Sequence, residues 1–214
     1  MKYWFFSILV AVVSYLFGNL KTTVLASNFV FRTNLNRLGS GNRWLSNFRR
    51  VYGVKGFIKL LVVELIRDVL PLLFAGWLFG TSDHAVTGKA LAMFCLTLGQ
   101  MYPFVYEFKG SYGVICMGIS ALFVSISVGA AVLVMAAVTL FFVRRTAVCA
   151  AVASLTLVIT GILVVDDPTA MRVCLFLGLL AFFHTVPGIA RSLSGKEEKL
   201  DFQEDISYKF DQKF

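Results

Sequence analysis

The sequence predicts an all-α, polytopic membrane protein with about seven transmembrane helices. Three observations support this fold class. Of the 214 residues, 58% are hydrophobic and only 15% are charged, whereas soluble domains are about one quarter charged. Several apolar stretches reach the roughly 20 residues that a helix needs to cross the hydrocarbon core. Between them, lysine and arginine collect in a few segments, as they do in the cytoplasmic loops of membrane proteins.

The N-terminal apolar stretch, residues 3–20 and extending to about 30, is predicted to form the first span. A signal peptide is the alternative, because Lys2 precedes the apolar run and Val24-Leu25-Ala26-Ser27 gives a weak small-residue cleavage context. The charged n-region is a single lysine, however, and the apolar run exceeds the usual length of a signal-peptide core. These features favour a membrane helix.

The other spans follow a basic segment at 32–56, which is too charged for hydrocarbon. They are predicted at 57–80, 90–106, 147–165 and 171–186, with a further pair of short helices within 112–143. The 112–143 stretch is too long for one ordinary span, and Ser125–Gly129 is the natural place for a tight turn. We therefore predict two helices there, which makes seven spans in total.

The distribution of basic residues predicts the orientation of these spans. With the N-terminus outside, the 32–56 segment, Lys109, Arg144-Arg145 and the C-terminal tail all face the cytoplasm. A single span at 112–143 would place the basic tail outside, so seven spans are preferred. The sequence thus predicts one seven-helix membrane domain at 1–190 and a charged cytosolic tail at 191–214.

The formal net charge of +8 is typical of a membrane protein, whose cytoplasmic loops collect lysine and arginine and attract anionic lipid headgroups. Nucleic acid is not an expected partner, because the sequence offers no soluble domain that would present a basic surface to it. The four cysteines lie singly inside apolar runs, without a CxxC or a Cys/His pair at metal-ligand spacing. We therefore expect neither a disulfide nor a metal site.

The stretch Gly39-Ser40-Gly41-Asn42 is the first candidate for chemistry. It lies in the basic 32–56 segment, where its glycines allow backbone N–H groups to approach a ligand closely. Ser40 and Asn42 add side-chain hydrogen bonds, and Arg50 could make a forked contact with phosphate. By itself, the tetrapeptide is better explained as a simple turn between two helices.

Two further segments are predicted on the same cytoplasmic side. One runs from Gly99-Gln100-Met101-Tyr102-Pro103 to Phe108-Lys109-Gly110-Ser111-Tyr112-Gly113-Val114. Alone, this segment is compatible with a proline-kinked helix that ends in a glycine turn. The other runs from His184 to Glu197, and a single histidine near a helix end is more often structural than catalytic.

Together and in this order, the three segments resemble the PlsY family, membrane acyltransferases that move a fatty acyl group from acyl phosphate to glycerol-3-phosphate. The first family motif, GSGNxGATNVxR, corresponds to 39–50. The second, GHxxP followed by FKGGKGVAT, corresponds to 99–103 and 108–116, and the DxxK helix corresponds to Glu64-Leu65-Ile66-Arg67. In the last motif, HxxNIxRL followed by a glycine and an acidic residue, the matching positions are Ile189, Arg191, Gly195 and Glu197.

The resemblance covers nearly the whole chain and implies a seven-helix domain with a cytosol-facing cleft among the three motif loops. It implies an enzyme of phospholipid biosynthesis in the cytoplasmic (inner or plasma) membrane of a bacterium. Its implied substrates are acyl phosphate and a phosphorylated small-molecule acceptor, with no cofactor. The implied catalytic residues are Ser40, Arg50 and His184. The implied substrate- and phosphate-binding residues are Gly39, Gly41, Asn42, Arg43, Asn47, Lys109, Gly110, Tyr112, Gly113 and Arg191.

The chain departs from the family pattern at four motif positions. The family's second-motif histidine, its phosphate-holding lysine, and the histidine and asparagine of its last motif are here Gln100, Tyr112, Thr185 and Gly188. His184 lies one residue before Thr185, about 100° around a helix. Arg43 replaces a neutral family position and could supply positive charge that Tyr112 cannot.

Three functional hypotheses follow. The first is acyl transfer of the family type, and the second is a catalytically impaired homologue that binds lipid or a partner protein. The third is a small transporter, supported by Glu64, Arg67 and Asp68 within one predicted span, because charges inside spans often mark ion pathways. These charges could instead satisfy one another, since they lie about one turn apart on one helix.

Overall fold

The computed structural model describes residues 2–35, 38, 45–80 and 84–194, most of which are helical. In chain order the α-helices are α1 (Lys2–Asn19), α2 (Thr22–Leu25), α3 (Leu45–Gly80), α4 (Ala85–Met101), α5 (Val114–Val124), α6 (Ile126–Val143), α7 (Thr146–Val164) and α8 (Pro168–Leu193). A π-helical turn follows α2 at Ala26–Val30, and a 3₁₀ turn follows α4 at Phe104–Tyr106. No strand occurs within the described residues, which confirms the predicted all-α class.

Among the described residues, three helices, α6, α7 and α8, are each long and apolar enough to cross a membrane. The broken pair Trp4–Asn19 and Thr22–Val30 meets the same criterion when it is taken as one span. Large apolar side chains such as Phe142 and Leu163 are about three-quarters exposed, as expected of residues that face lipid. The chain is therefore a multi-pass membrane protein, whereas the count of seven spans and the outward N-terminus stay predictions.

The long apolar stretch at 112–143 forms two helices, as the sequence predicted. Ser125 separates α5 from α6 with an extended backbone (φ −152°, ψ 126°). The two helices then pack closely, because a β-carbon at Gly129 would lie 2.2 Å from the backbone nitrogen of Leu122. A glycine at 129 therefore permits the tight hairpin.

The two largest differences from the predicted helix boundaries are at the start of α3 and at the end of α8. Helix α3 begins at Leu45, inside the basic 32–56 segment and 12 residues before the predicted start of the span at 57, because its first turns bury Phe48 and Val51. Helix α8 continues past Val186 and Pro187 to Leu193, so residues 191–193 of the predicted tail are helical. The rest of that tail, 195–214, lies outside the described residues.

The described residues form two compact units. The main unit comprises 2–19 and 67–194, and the small unit comprises 20–66. Helix α3 belongs to the small unit as far as Ile66 and to the main unit from Arg67.

Close helix contacts build the main unit, in which α7 packs on both α6 and α8, and α1 packs on α4. At the α1–α4 contact, a β-carbon at Gly18 would lie 2.1 Å from the carbonyl oxygen of Leu96. A β-carbon at Gly99 would likewise lie 2.3 Å from the carbonyl oxygen of Tyr15. Paired small residues let two membrane helices approach in this way.

The two ends of the main unit hold different loops. At one end, Asp167 caps α8 by accepting a hydrogen bond from the Ala170 backbone nitrogen (2.7 Å), and Thr87 near the start of α4 donates to the same carboxylate (3.3 Å). At the other end, the Ser111 nitrogen donates to the Gln100 oxygen (3.1 Å), and Arg145 donates to Ser192. The loops predicted to be cytoplasmic in this unit therefore share one end.

Candidate active site

The first predicted motif lies largely outside the described residues. This holds for Gly39, Ser40, Gly41, Asn42 and Arg43, whose predicted contacts with substrate stay predictions. Asn47 and Arg50 lie on the first turns of α3. The Asn47 side chain is buried, and its Nδ2 donates to the Leu38 carbonyl oxygen over 3.1 Å. Asn47 thus joins the two sides of the 39–44 stretch.

An aromatic cluster in the small unit supports these first turns of α3. The Tyr52 ring stacks on Phe31 with 4.2 Å between ring centroids and lies 4.5 Å from the Phe48 ring. Burial raises the pKa of Tyr52, and a hydrogen bond between its hydroxyl and that of Thr33 lowers it by less. Gly53 then interrupts the helix with a left-handed φ of 65°. The cluster and this break fix the short helical segment that carries Arg50.

The second motif forms a loop that folds back on the end of α4. Gly110 is required there, because a β-carbon would lie 2.2 Å from the Gln100 oxygen and 2.3 Å from the Met101 oxygen. Gly113 precedes α5 with a left-handed φ of 65°, a conformation that glycine adopts without steric cost. The two glycines therefore have backbone roles, and they fix the positions of Ser111 and Tyr112.

Lys109 projects from this loop into solvent. Its Nζ lies 2.9 Å from a carboxylate oxygen of Glu107, and the two side chains are 81% and 82% exposed. An exposed pair of this kind contributes little to stability, about 0–1 kcal/mol. The predicted contact of Lys109 with phosphate stays a prediction.

His184 lies against the second-motif loop. Its ring makes edge-to-face contacts with Tyr102 (4.8 Å between centroids) and Tyr112 (6.0 Å). The imidazole also lies beside the backbone of Ser111. Thr185, at the position of the family histidine, is instead buried, and its hydroxyl donates to the Phe182 oxygen (2.6 Å). Of these two neighbours on α8, only His184 therefore directs its side chain toward the second-motif loop.

The Tyr112 hydroxyl packs directly against Gly188. A β-carbon at Gly188 would lie 2.0 Å from the Tyr112 hydroxyl oxygen and 2.8 Å from the Ala147 β-carbon. The phenol thus occupies the space that any side chain at 188 would need. The two departures from the family pattern are linked, since an asparagine at 188 is incompatible with this position of the tyrosine.

The Gly188→Ala variant should lower the free energy of unfolding by about 1–3 kcal/mol, because the added methyl group overpacks the contact with Tyr112. In a Tyr112→Ala background the same change should cost less, since the hydroxyl is gone. Thermal unfolding of the four proteins in detergent measures this coupling. Gly80→Ala is the matched control, because nothing lies within 4 Å of its β-carbon. Equal costs in both backgrounds would contradict the interlocked arrangement.

The charges of the predicted second span form a buried network in the main unit. Arg67 donates from Nε (2.8 Å) and Nη2 (2.6 Å) to one Asp68 oxygen, and Nη2 also donates to the Gln100 side-chain oxygen (3.2 Å). Arg67 and Asp68 are 5% and 0% exposed. Because Arg67 and Asp68 pair with each other inside the protein, their presence in a span does not require an ion pathway.

The last turn of α8 carries Arg191 on the surface and Ser192 in the interior. Arg145, the residue before α7, donates from Nη1 to both the backbone oxygen and the hydroxyl of Ser192, the latter over 2.9 Å. Sequence reasoning grouped Arg145 with the cytoplasmic loops but did not include it among the site residues. Only its position beside α8 in the fold distinguishes it.

Comparison with known proteins shows the family to which the chain belongs. Residues 8–195 match the family model described as glycerol-3-phosphate acyltransferase. The chain belongs to the glycerol-3-phosphate acyltransferase family. Among curated members, that of Thermoanaerobacter pseudethanolicus is 23% identical over 94% of this chain and 99% of its own length. That of Paraburkholderia xenovorans is 29% identical over 91% of each chain.

A solved family member has the same fold. The chain matches the crystal structure of PlsY (YgiH), an integral membrane glycerol 3-phosphate acyltransferase, in its glycerol 3-phosphate form, with a TM-score of 0.74. The match has 19% sequence identity and covers 92% of this chain and 97% of that one. The family relationship favours an enzyme over the transporter hypothesis.

Proposed function

We propose that this protein transfers a fatty acyl group from acyl phosphate to the hydroxyl group of glycerol-3-phosphate, at the cytoplasmic face of a bacterial membrane. The observation that carries the proposal is the second-motif loop. Gly110 and Gly113 have the backbone roles described above, and the loop positions Ser111 and Tyr112 against His184. The family match over residues 8–195 supports the same reaction class.

The reaction does not require a covalent intermediate between the acyl group and the protein. Acyl phosphate is an activated mixed anhydride, so the enzyme has to position it and to stabilise the charge of the leaving phosphate. The acceptor's hydroxyl oxygen forms a bond to the acyl carbon, and the bond from that carbon to the phosphate oxygen breaks. The electron pair leaves with inorganic phosphate, and the hydroxyl proton goes to a base.

We assign the role of base to His184. The His184 ring lies beside the Ser111 backbone, and a neutral imidazole, which donates from one ring nitrogen, can accept at the other. The second nitrogen can therefore take the proton from the acceptor's hydroxyl. Contacts with Tyr102 and Tyr112 restrict the ring to this orientation.

We assign the donor's phosphate to the first motif. Ser40, Asn42 and the backbone of Gly39 and Gly41 would hydrogen-bond its oxygens, and Arg50 would give a forked contact. The buried Asn47 supports this assignment indirectly, since it ties Leu38 to α3 and so holds both sides of the motif.

The experiment that tests the proposal is a phosphate-release assay on detergent-purified protein. Inorganic phosphate should be released from acyl phosphate only when glycerol-3-phosphate is supplied. Ser40→Ala should lower the rate about 10- to 100-fold, because it removes one hydrogen bond to a charged phosphate. Release without an acceptor, or a Ser40→Ala variant as active as the parent, would refute this mechanism.

A further inference from the structure

We propose that Arg145 binds the phosphate of the acceptor, in place of the cation that position 112 lacks. The inference rests on the proposed acyl transfer and names the residue that recognises the charged end of its second substrate. The class of ligand is a small phosphorylated alcohol.

The first argument is a row of polar groups along one face of α8. His184, Gly188 and Ser192 are four residues apart and therefore lie on one helical face, about one turn from each other. The row consists of the His184 imidazole, then the Tyr112 hydroxyl against Gly188, then the Arg145 guanidinium against Ser192. An imidazole, a phenol and a guanidinium thus follow one another at the motif end of the main unit.

The second argument is charge. Tyr112 and a neutral His184 can bind a hydroxyl group, but neither supplies a fixed positive charge for a phosphate. Arg145 supplies one, at the next turn of the same row. A ligand that carries both a phosphate and a hydroxyl group would direct its phosphate toward the guanidinium and its hydroxyl toward the imidazole.

The third argument is the hydrogen bonding of Arg145. Among the described residues, its contacts with Ser192 use only Nη1. A guanidinium has five N–H donors in a fixed fork, so Nε and Nη2 retain the geometry that binds two phosphate oxygens. The bonds to Ser192 hold the side chain in place before a ligand arrives, which reduces the entropy lost on binding.

The other cations of this end of the main unit fit less well. Lys109 is exposed and paired with Glu107. Arg191 is exposed and adjacent to Ser192 in sequence, so it is rotated by about 100° from the row. Arg144 is also exposed and lies in the turn before Arg145, with a left-handed φ of 55°. It provides a matched control with the same change of charge.

The test compares Arg145→Gln with Arg144→Gln in the full-length, detergent-purified protein. Arg145→Gln should raise the KM for glycerol-3-phosphate about 10- to 100-fold, as expected when one charged phosphate contact is lost. The KM for acyl phosphate should stay within about twofold. Arg144→Gln should change neither value. A merely structural role of Arg145 would lower kcat or stability without this selective change in KM.

Two outcomes would overturn the proposal: Arg145→Gln behaving like Arg144→Gln, or a loss confined to kcat. If Arg145→Gln does not fold, Arg145→Lys decides, since it keeps the charge but loses the fork. A raised KM for glycerol-3-phosphate then supports the proposal, and an unchanged KM refutes it.

A second readout separates this inference from the proposed function. If the parent protein transfers no acyl group, thermal stabilisation by millimolar glycerol-3-phosphate still measures binding. Stabilisation of the parent and of Arg144→Gln, but not of Arg145→Gln, supports the site at Arg145. No stabilisation of the parent, or equal stabilisation of all three, overturns it.

Discussion

The His184→Ala variant should lose about 10²- to 10⁴-fold in kcat, which is the usual contribution of a general base. The physical reason is that a neutral imidazole, here packed against Tyr102 and Tyr112, has one ring nitrogen that can accept the acceptor's proton. The KM for acyl phosphate should change little, because His184 is not assigned to the donor. Initial rates of acceptor-dependent phosphate release measure both quantities.

His84 provides the control for this experiment, because it is the other histidine of the chain. It precedes α4, whereas His184 lies beside the loop that follows that helix. His84→Ala should keep the parent rate within about twofold. His184→Gln keeps a hydrogen-bonding side chain but cannot take up a proton, so it should be as impaired as His184→Ala. Recovery of activity by glutamine would mean that His184 is structural.

The Arg67→Met variant should lower the free energy of unfolding by about 3–5 kcal/mol, the usual cost of removing one partner of a buried ion pair. The change removes the guanidinium that donates twice to Asp68, whose side chain is 0% exposed. It also removes the donor to Gln100. Thermal or denaturant-induced unfolding in detergent gives the size of the loss.

Two further variants show whether this loss comes from the ion pair. Arg172→Met removes an exposed arginine from α8 and should change stability by no more than about 0.5 kcal/mol. Arg67→Met combined with Asp68→Leu removes both charges and should recover much of the loss, since an apolar pair is often as stable as a buried ion pair. If the double variant is no more stable than Arg67→Met, the ion pair does not explain the cost.

Most of the helical architecture could be predicted from hydrophobicity alone. The break within 112–143 was predictable because no ordinary span is that long, and the structure places it at Ser125. The start of α3 at Leu45 was not predictable in this way, because its first turns are basic and fold around buried Phe48 and Val51. The mean hydropathy of a segment stays low when its helix buries only a few side chains on one face, so it does not predict that helix.

The candidate site was predicted in its parts but not in its contacts. Motif spacing identified Tyr112, His184 and Gly188 as positions of interest, and His184 was a candidate despite its shift by one residue. The fit of the Tyr112 hydroxyl against Gly188 depends on the path of the loop from 107 to 113, where Glu107 and Phe108 adopt left-handed φ values of 55° and 58°. Residue types alone do not reveal such a path.

The central claim, acyl transfer to glycerol-3-phosphate, is tested most directly by identifying the product. Purified protein would be incubated with acyl phosphate and isotopically labelled glycerol-3-phosphate, and the lipid fraction analysed by mass spectrometry. We expect labelled acyl-glycerol-3-phosphate in a one-to-one ratio with released inorganic phosphate. Binding of both substrates without labelled lipid, or phosphate release with free fatty acid as the only acyl product, would contradict the claim.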